Sequence, residues 1–196
     1  MTSSASSRHA VPADHGAMAA ALVEAFRDDP FMSWLFPDGE GRARPDALDP
    51  FMAAEVAGHQ PHGHAYVVDE RAVALWIPPG GQSDQSGVAA VMAEHAEPER
   101  IAIAGDGFVR MLDHHPGEPY FYLSMLGSRD DSRGQGLGSA LLRRVLDTCD
   151  REGLAAHLES SNARNVGLYE RHGFTVEAEI EFAAGVVLRP MTRPPQ

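Results

Sequence analysis

The sequence contains no lysine: all 16 basic residues in the 196-residue chain are arginine, and they face 28 Asp and Glu residues. The formal net charge is therefore −12 at pH 7. Nucleic acids are held by clustered cations, which this chain lacks, so we expect no nucleic-acid partner. A nucleoside-triphosphate loop is excluded as well, because it requires Gly-Lys followed by Ser or Thr. The negative charge favours a cationic substrate instead.

Cysteine and long apolar runs are scarce too. The single cysteine, Cys149, has no partner for an internal disulfide, which agrees with a reducing compartment. No apolar run approaches the length of a membrane span, and residues 1–9 lack the apolar core of a secretory signal. We therefore predict a cytoplasmic protein with no membrane partner, consisting of a disordered tail over residues 1–8 and one domain over residues 9–196.

The most informative stretch is a glycine-rich turn between a strand and a helix. Alternating apolar residues over Tyr120–Ser128 predict a strand, and Arg133-Gly-Gln-Gly-Leu-Gly138 follows just before a helical pattern. Glycine lets the backbone approach a ligand, and the unpaired N–H groups at a helix start attract anions, so the turn predicts a phosphate-binding site. It is not a dinucleotide fingerprint, because the third position of that motif falls on Ser139. The alternative is a turn that binds nothing.

Hydrophobic periodicity predicts the other elements. Helices are expected from Asp14 to about residue 28 and over residues 45–58, 88–97 and 99–114. Strands are expected at residues 9–11, 64–69, 71–77 and 155–160. In the helix after the glycine turn, Cys149 shares the apolar face, which is typical of a structural cysteine.

Histidines cluster at two places in the sequence. His59, His62 and His64 form one group, and His114 and His115 precede a proline in the other. Neither group has the carboxylate or thiolate partners that a zinc site uses at defined spacing. We interpret both as solvated turns and expect no metal.

Two motifs in sequence order carry a family resemblance. Arg133-x-x-Gly-x-Gly after a strand, followed by Asn162 to Asn165 and then by Leu-Tyr-Glu-Arg-x-Gly-Phe ending at Phe174, resembles the acetyl-CoA site of the GNAT superfamily of N-acetyltransferases. The resemblance implies a single α/β domain with a mixed, mainly antiparallel twisted sheet of six to seven strands flanked by helices. It also implies acetyl-CoA as co-substrate, with acceptor-side helices and first strands in residues 9–118 and the acetyl-CoA-binding half in residues 119–196.

The resemblance assigns cofactor contacts residue by residue. It implies that the strand Tyr120–Ser128 splays away from residues 155–160 and that the pantetheine arm lies in the gap. The expected cofactor-binding residues are Leu126, Gly127, Ser128, Arg133, Gly134, Gln135, Gly136, Leu137, Gly138, Ser139, Asn162 and Asn165. Asn162 and Asn165 would bond the pantetheine amides or cap the helix that starts near residue 164.

The expected chemistry is direct transfer in a ternary complex. By the resemblance, Tyr169 protonates the departing thiolate, since a phenol is protonated at neutral pH. Glu159 is either the base for the amine or a carboxylate that orients the amine or a water, and both alternatives stay open. The resemblance places substrate contacts near Asp29, Phe31 and Trp34, although residues 30–37 also read as a buried core turn.

The expected acceptor is a small-molecule primary amine, with an aminonucleoside antibiotic such as puromycin as one example, which would make the protein a resistance enzyme. The alternatives are acetylation of protein N-termini and a non-catalytic acyl-CoA-binding regulatory module. A closed aromatic pocket in residues 26–60 would favour small molecules, and an open groove would favour peptides. The sequence leaves a monomer and a homodimer equally open.

Overall fold

The computed structural model describes residues 7–59 and 63–196. The helices found there are α1 (His15–Phe26), α2 (Pro30–Leu35), α3 (Pro45–His59), α4 (Ser86–His95), α5 (Pro98–Leu112), α6 (Leu137–Glu152) and α7 (Ala163–Glu170). The strands found there are β1 (Arg8–His9), β2 (Ala65–Val68), β3 (Ala72–Ile77), β4 (Tyr120–Ser128), β5 (Ala155–Ser160), β6 (Thr175–Val176), β7 (Ile180–Ala183) and β8 (Val186–Arg193). None of the helices in these ranges has the length and apolarity that crossing a membrane requires.

One sheet runs through both halves of the chain in the order β1-β2-β3-β4-β5-β8-β6, and β7 pairs with β8 beside it. Only the β4–β5 pair is parallel among the described strands, so the prediction of a mixed, mainly antiparallel sheet is confirmed. The sheet contains eight described strands where six to seven were expected, and two of them, β1 and β6, have only two residues each.

Helices cover both faces of the sheet. Val67, Val73 and Leu75 pack among α1, α2 and α3, whereas Ala74 and Trp76 pack among the residues of α6 and α7. Neighbouring residues of a strand point to opposite faces, so two apolar layers require strands that are apolar throughout, as β2 and β3 are. The sheet is therefore fixed from both sides.

Helix α6 buries one apolar stripe against the sheet. Its buried residues are Leu137, Leu141, Leu142, Val145, Leu146 and Cys149. Burying one such leucine or valine side chain contributes about 1.5–3 kcal/mol. Burial also raises the pKa of the Cys149 thiol to about 12, so the thiolate that a nucleophile needs does not form at neutral pH. Cys149 is a packing residue, as expected.

The parallel strands β4 and β5 separate halfway along their length. They pair from Tyr120 opposite Ala155 to Leu123 opposite Leu158. Beyond that point β4 pairs only with β3 and β5 pairs only with β8. The separation begins beside a bulge, where the register with β3 skips Ser124. The predicted splaying is thus present, and it leaves an open edge on the last residues of β4.

Two predictions about the first sixty residues change. Residues 1–6 of the predicted tail and His62 lie outside the described residues. Arg8, which we assigned to the tail, lies in β1 and forms an ion pair with Asp14 at 2.7 Å. His59 is fully buried rather than solvated, because α3 continues through it and its Nδ1 contacts the carbonyl oxygen of Glu55 at 2.7 Å.

Candidate active site

The glycine turn adopts a conformation that only glycine takes without strain. Gly134 and Gly136 have φ of +76° and +78°, in the left-handed region, and Gly136 immediately precedes α6. The first bond of the helix is donated by Ala140 to the carbonyl of Gly136. The N–H groups of Leu137, Gly138 and Ser139 therefore have no acceptor within the helix and are available to a ligand, with the helix dipole favouring an anion.

A cleft of about 400 Å³ opens over this turn. Most of the predicted cofactor residues line it: Leu126, Gly127, Ser128, Arg133, Gly134, Gly136, Leu137, Gly138, Ser139 and Asn165. Tyr169, the predicted acid, lines it as well. Arg171 lines the same cleft and was not predicted. Unpaired N–H groups together with two guanidinium groups suit the phosphates of a CoA molecule.

Two predicted cofactor residues lie outside the cleft lining. Gln135 turns back onto its own loop, where its Nε2 donates to the carbonyl of Asp131 at 3.0 Å. Asn162 caps α7, since its side chain accepts a hydrogen bond from the N–H of Arg164 at 3.1 Å. The helix-capping alternative is thus the one that the structure supports for Asn162.

Gly127 has a packing role in addition to its place in the cleft. A Cβ atom at this position would lie 2.8 Å from the Cβ of Ala25 and 3.0 Å from Leu22, both on α1. Glycine therefore allows α1 to lie directly against the open end of β4. The close approach holds the acceptor-side helices next to the gap between β4 and β5.

A second pocket, of about 350 Å³, lies on the other side of the gap. Leu126, Asn165 and Tyr169 line both the pocket and the cleft, so the two cavities meet at these residues. The described lining contains many apolar side chains: Phe26, Phe31, Met32, Phe51, Ile77, Phe108, Leu123, Met125, Leu126, Leu158 and Leu188. We refer to it below as the acceptor pocket.

Tyr169 stands at the junction of the two cavities. It lies on α7, is 7% exposed, and packs edge-on against Phe174 at 6.0 Å between ring centroids. Its hydroxyl has no hydrogen-bond partner within the described residues, so the O–H is available to a ligand. Burial, and next the charge of Asp29, raise the pKa of this phenol well above its usual value. Tyr169 is therefore a proton donor throughout the neutral range.

Asp29 is a buried carboxyl beside this junction. Its Oδ1 caps α2 by accepting from the N–H groups of Phe31 and Met32, and Ser161 donates to its Oδ2 at 2.6 Å. Burial raises the pKa of Asp29 even though these three bonds oppose the rise. Asp29 and Phe31 line the acceptor pocket as expected. Trp34 does not line it and instead packs against Phe31 at 5.6 Å.

Glu159 accepts bonds from several segments at once. Its Oε2 accepts a hydrogen bond of 2.5 Å from the hydroxyl of Tyr122, and its Oε1 lies 2.9 Å from His115 Nε2 and 3.3 Å from His157 Nε2. Burial would raise the pKa of Glu159, but the contacts with His115, His157 and Tyr122 outweigh burial and lower the pKa to about 2. Glu159 is thus a permanent anion, which favours an orienting role over that of a base.

His115 was wrongly interpreted as part of a solvated turn. Its side chain is 22% exposed, and its Nδ1 contacts the Tyr120 hydroxyl at 2.7 Å while its Nε2 faces Glu159. His157 is fully buried, with its Nδ1 2.9 Å from the Thr192 hydroxyl. Both imidazole rings are therefore oriented by a hydroxyl on one side and approach Glu159 on the other.

The three groups also have the spacing of a possible metal site. The ligand atoms of His115, His157 and Glu159 lie within 4.8 Å of one another. We interpret the arrangement as a hydrogen-bond network, because Tyr122 donates to Glu159 and His115 Nε2 lies 2.9 Å from its carboxylate. His157 Nε2 is near, at 3.3 Å, but has no hydrogen-bond partner among the described residues. That the protein works without metal stays a prediction.

Sequence reasoning missed His157 and Glu55, and each had a signal. His157 and Glu159 are two residues apart on β5, so they share one face of the sheet. Glu55 lies among the buried residues of α3 and is 5% exposed. A carboxyl in the apolar stripe of a predicted helix was the signal, because such a group is rarely buried without a reason.

Known families match this arrangement. The model of the acetyltransferase (GNAT) family matches residues 101–174, which extend from α5 through the glycine turn to Phe174. An N-acetyltransferase of Schizosaccharomyces pombe, itself described as uncharacterized, is 26% identical over 182 residues, covering 85% of this chain and 73% of that protein. An L-methionine sulfoximine/L-methionine sulfone acetyltransferase of Pseudomonas aeruginosa is 40% identical over 55 residues, covering 26% of this chain and 32% of that protein.

A solved structure matches along nearly the whole chain. It is a Corynebacterium glutamicum protein described as histone acetyltransferase HPA2 and related acetyltransferase, with a TM-score of 0.67 and 25% identity, and the match covers 97% of this chain and 96% of that one. The fold and the cleft define an acyltransferase, and these matches support a place in the GNAT family.

The protein is accordingly an acetyl-CoA-dependent N-acetyltransferase, since acetyl-CoA is the acetyl donor of the family that these matches point to. None of the three proteins above is named for an aminonucleoside acceptor, so puromycin stays a prediction, as do the roles of individual site residues.

Proposed function

We propose that this N-acetyltransferase acetylates a small primary amine that has an apolar body and no carboxylate. The observation that carries the proposal is the composition of the acceptor pocket: its described lining contains Asp29, Glu55 and Glu159 but no arginine or histidine. A volume of about 350 Å³ suits a small ligand. Aromatic walls bind the apolar body, and the carboxylates attract the ammonium group.

Free amino acids are poor candidates for the acceptor. Their carboxylate needs a cation or a set of N–H donors, and it would instead meet the permanent charge of Glu159. The relative that acts on methionine sulfoximine matches this chain over only 55 residues, so it carries little weight for the acceptor side. Puromycin meets the chemical requirements, because it is a primary amine with aromatic groups and no carboxylate.

A protein N-terminus is the second candidate acceptor. It shares the amine and lacks a nearby carboxylate, but a peptide requires an open groove for the residues that follow the first one. The acceptor pocket instead has lining residues from α2, α3, α5 and residues 83–85. Because these elements surround the pocket, a small molecule is favoured over a peptide as the acceptor.

The opposite pKa shifts of two carboxyl groups support a division of labour. Glu159, ionised at all relevant pH values, holds the substrate ammonium. Asp29 is the proposed base, because burial raises its pKa, which makes its carboxylate a stronger base, and its charge acts on Tyr169. This proposal moves the role of base from Glu159 to Asp29.

The proposed reaction is a direct attack in a ternary complex. Asp29 takes one proton from the ammonium, and the neutral nitrogen forms a C–N bond with the thioester carbon. As the C–S bond breaks, the hydroxyl of Tyr169 protonates the departing thiolate, and the phenolate regains a proton that the new amide nitrogen loses through water. The net products are the N-acetyl amine, CoA and the one proton that Asp29 releases.

A thiol-release assay with acetyl-CoA tests the acceptor class. The panel contains 4-methylbenzylamine, puromycin, methionine sulfoximine and a short peptide with a free N-terminus. We expect kcat/KM to be highest for one of the two apolar amines. The proposal fails if the amino acid or the peptide is the best substrate, or if CoA binds and no amine releases thiol, as a regulatory module would behave.

Tyr169→Phe tests the proposed acid. We expect kcat to fall roughly 100-fold or more, with the affinity for CoA measured by calorimetry unchanged, because only the proton is removed. Tyr66→Phe is the matched control: Tyr66 is also buried, at 5% exposure, but it lines neither cavity. Equal losses in both variants would contradict the role of Tyr169.

A further inference from the structure

Glu55 is a buried carboxyl that the proposed reaction does not use. It lies on α3, is 5% exposed, and lines the acceptor pocket but not the cleft. Its Oε2 has no hydrogen-bond partner among the described residues. An acceptor atom left unpaired in the interior costs about 1–3 kcal/mol, and more when the group is charged. Because Glu55 lines the acceptor pocket, a ligand bound there that supplies a hydrogen-bond donor would satisfy this oxygen.

Three parts of the chain place polar groups near Glu55. On its own helix, His59 Nδ1 lies 3.5 Å from Oε2, although the same nitrogen is 2.7 Å from the carbonyl oxygen of Glu55. From the loop before α4, the side chain of Gln85 opposes the rise of the Glu55 pKa. From β4, Tyr122 has a hydroxyl that already donates to Glu159 at 2.5 Å.

Glu55 and Glu159 act on the same phenol. Burial raises the pKa of Tyr122 far above its usual value, and the charges of Glu159 and then Glu55 raise it further. Tyr122 therefore stays protonated and donates its single proton to Glu159, which leaves none for Glu55. Glu55 and Glu159 thus share the pocket, whose described lining also contains Asp29 but no arginine.

We propose that Glu55 binds a second basic nitrogen of the acceptor, so that the preferred substrate is a diamine with an apolar spacer. The inference rests on the proposed function. The amine that reacts lies at the junction marked by Tyr169, Asn165 and Leu126, and the second ammonium donates to Glu55 Oε2 at the part of the pocket that the cleft does not share. A dication neutralises both buried carboxylates, which a monoamine cannot do.

The proton equilibrium of Glu55 agrees with this geometry. Burial raises its pKa to about 7, so the empty pocket contains a mixture of the neutral and the ionised carboxyl group. An ammonium group that binds there draws Glu55 fully into the ionised form. The carboxyl group is thus partly neutral in the empty pocket, which lowers the cost of burying it, and it is fully ionised when a cation binds.

The test compares two acceptors of nearly equal size, p-xylylenediamine and 4-methylbenzylamine, which differ by one amino group in place of a hydrogen. For the wild-type protein we expect kcat/KM to be roughly 10- to 100-fold higher for the diamine, beyond the factor of two for its equivalent ends. Glu55→Gln should remove most of this preference by raising KM for the diamine much more than KM for the monoamine. Glu55→Met, similar in length and uncharged, serves if the Gln variant does not fold.

Glu70→Gln is the control, because Glu70 is exposed in the turn between β2 and β3 and should leave the preference unchanged. A wild-type protein that acetylates both amines equally well overturns the inference and leaves the proposed function intact. A protein that acetylates neither overturns the inference, and it overturns the proposed function as well if puromycin is also not acetylated. If 4-(hydroxymethyl)benzylamine gains as much as the diamine, Glu55 recognises any donor, and the assignment to a second basic nitrogen is wrong.

Discussion

Glu55→Gln also makes a prediction about stability that is independent of any substrate. In the folded protein, burial raises the pKa of Glu55 to about 7 from an ordinary value of 4.5, so the folded state holds a proton that the unfolded state releases. The free energy of unfolding therefore includes a favourable contribution that is fully present below pH 4.5. It is lost as the pH rises to 7, because the folded state must then accept a buried charge. Glutamine has the same shape and never ionises.

The magnitude follows from the two pKa values. Each pKa unit corresponds to about 1.36 kcal/mol, so the whole contribution is about 3 kcal/mol. Between pH 5 and pH 8 the wild-type protein should lose roughly 2.5 kcal/mol of this, and the variant should lose none of it. For a chain of this length, that difference corresponds to a shift in Tm of roughly 5–10 °C in favour of the variant.

Urea unfolding of both proteins at several pH values between 5 and 8 measures the effect. Subtracting the two curves removes every group that titrates equally in both, so only position 55 remains. Glu70→Gln is again the control and should give a constant difference. A gap between Glu55→Gln and wild type that stays within about 0.5 kcal/mol over this range would refute the raised pKa, and with it the support from titration for a cation site at Glu55.

The other two predictions concern the carboxyl groups nearest the reaction. Asp29→Asn should lower kcat/KM roughly 100-fold, because the variant lacks the proposed base. The melting temperature should change little, because asparagine caps α2 as well as aspartate does. A large loss of stability with a small kinetic effect would contradict this prediction. Glu159→Gln should raise KM for the amine roughly 10- to 100-fold. The increase should be the same at pH 6 and pH 8, because a carboxyl group with a pKa of about 2 is ionised at both. A change confined to kcat would assign Glu159 to proton transfer instead.

The cofactor side could be predicted from sequence because its signals are local. The glycine turn and the start of α6 occupy consecutive positions, and the requirement for a left-handed conformation at Gly134 and Gly136 limits the choice of residue. β4 and β5 have the predicted bounds, since each alternates or stays apolar over its whole length. Tyr169 was assigned from the family resemblance, whose motifs are also short and local.

The acceptor side could not be predicted because its contacts join distant segments. His115 reaches Glu159 across 44 residues, and Ser161 reaches Asp29 across 132. The pair His114-His115 has the composition of a solvated turn, and only the position of β5 beside it turns His115 inward. The place of Trp34 outside the pocket lining has the same cause: its ring lies under the guanidinium group of Arg100, 5.7 Å from the ring centroid.

The boundary of the family match has a physical meaning for specificity. Residues 101–174 contain the phosphate-binding turn, Glu159 and Tyr169, whereas Asp29 and Glu55 lie before the match begins. The residues proposed to bind acetyl-CoA thus lie inside the matched range. Helices α2 and α3, which complete the acceptor pocket, lie outside that range. A relative that shares only the matched stretch therefore shares the proposed donor site and the proposed acid with this protein, and its acceptor need not have the charge that we propose Asp29 and Glu55 select.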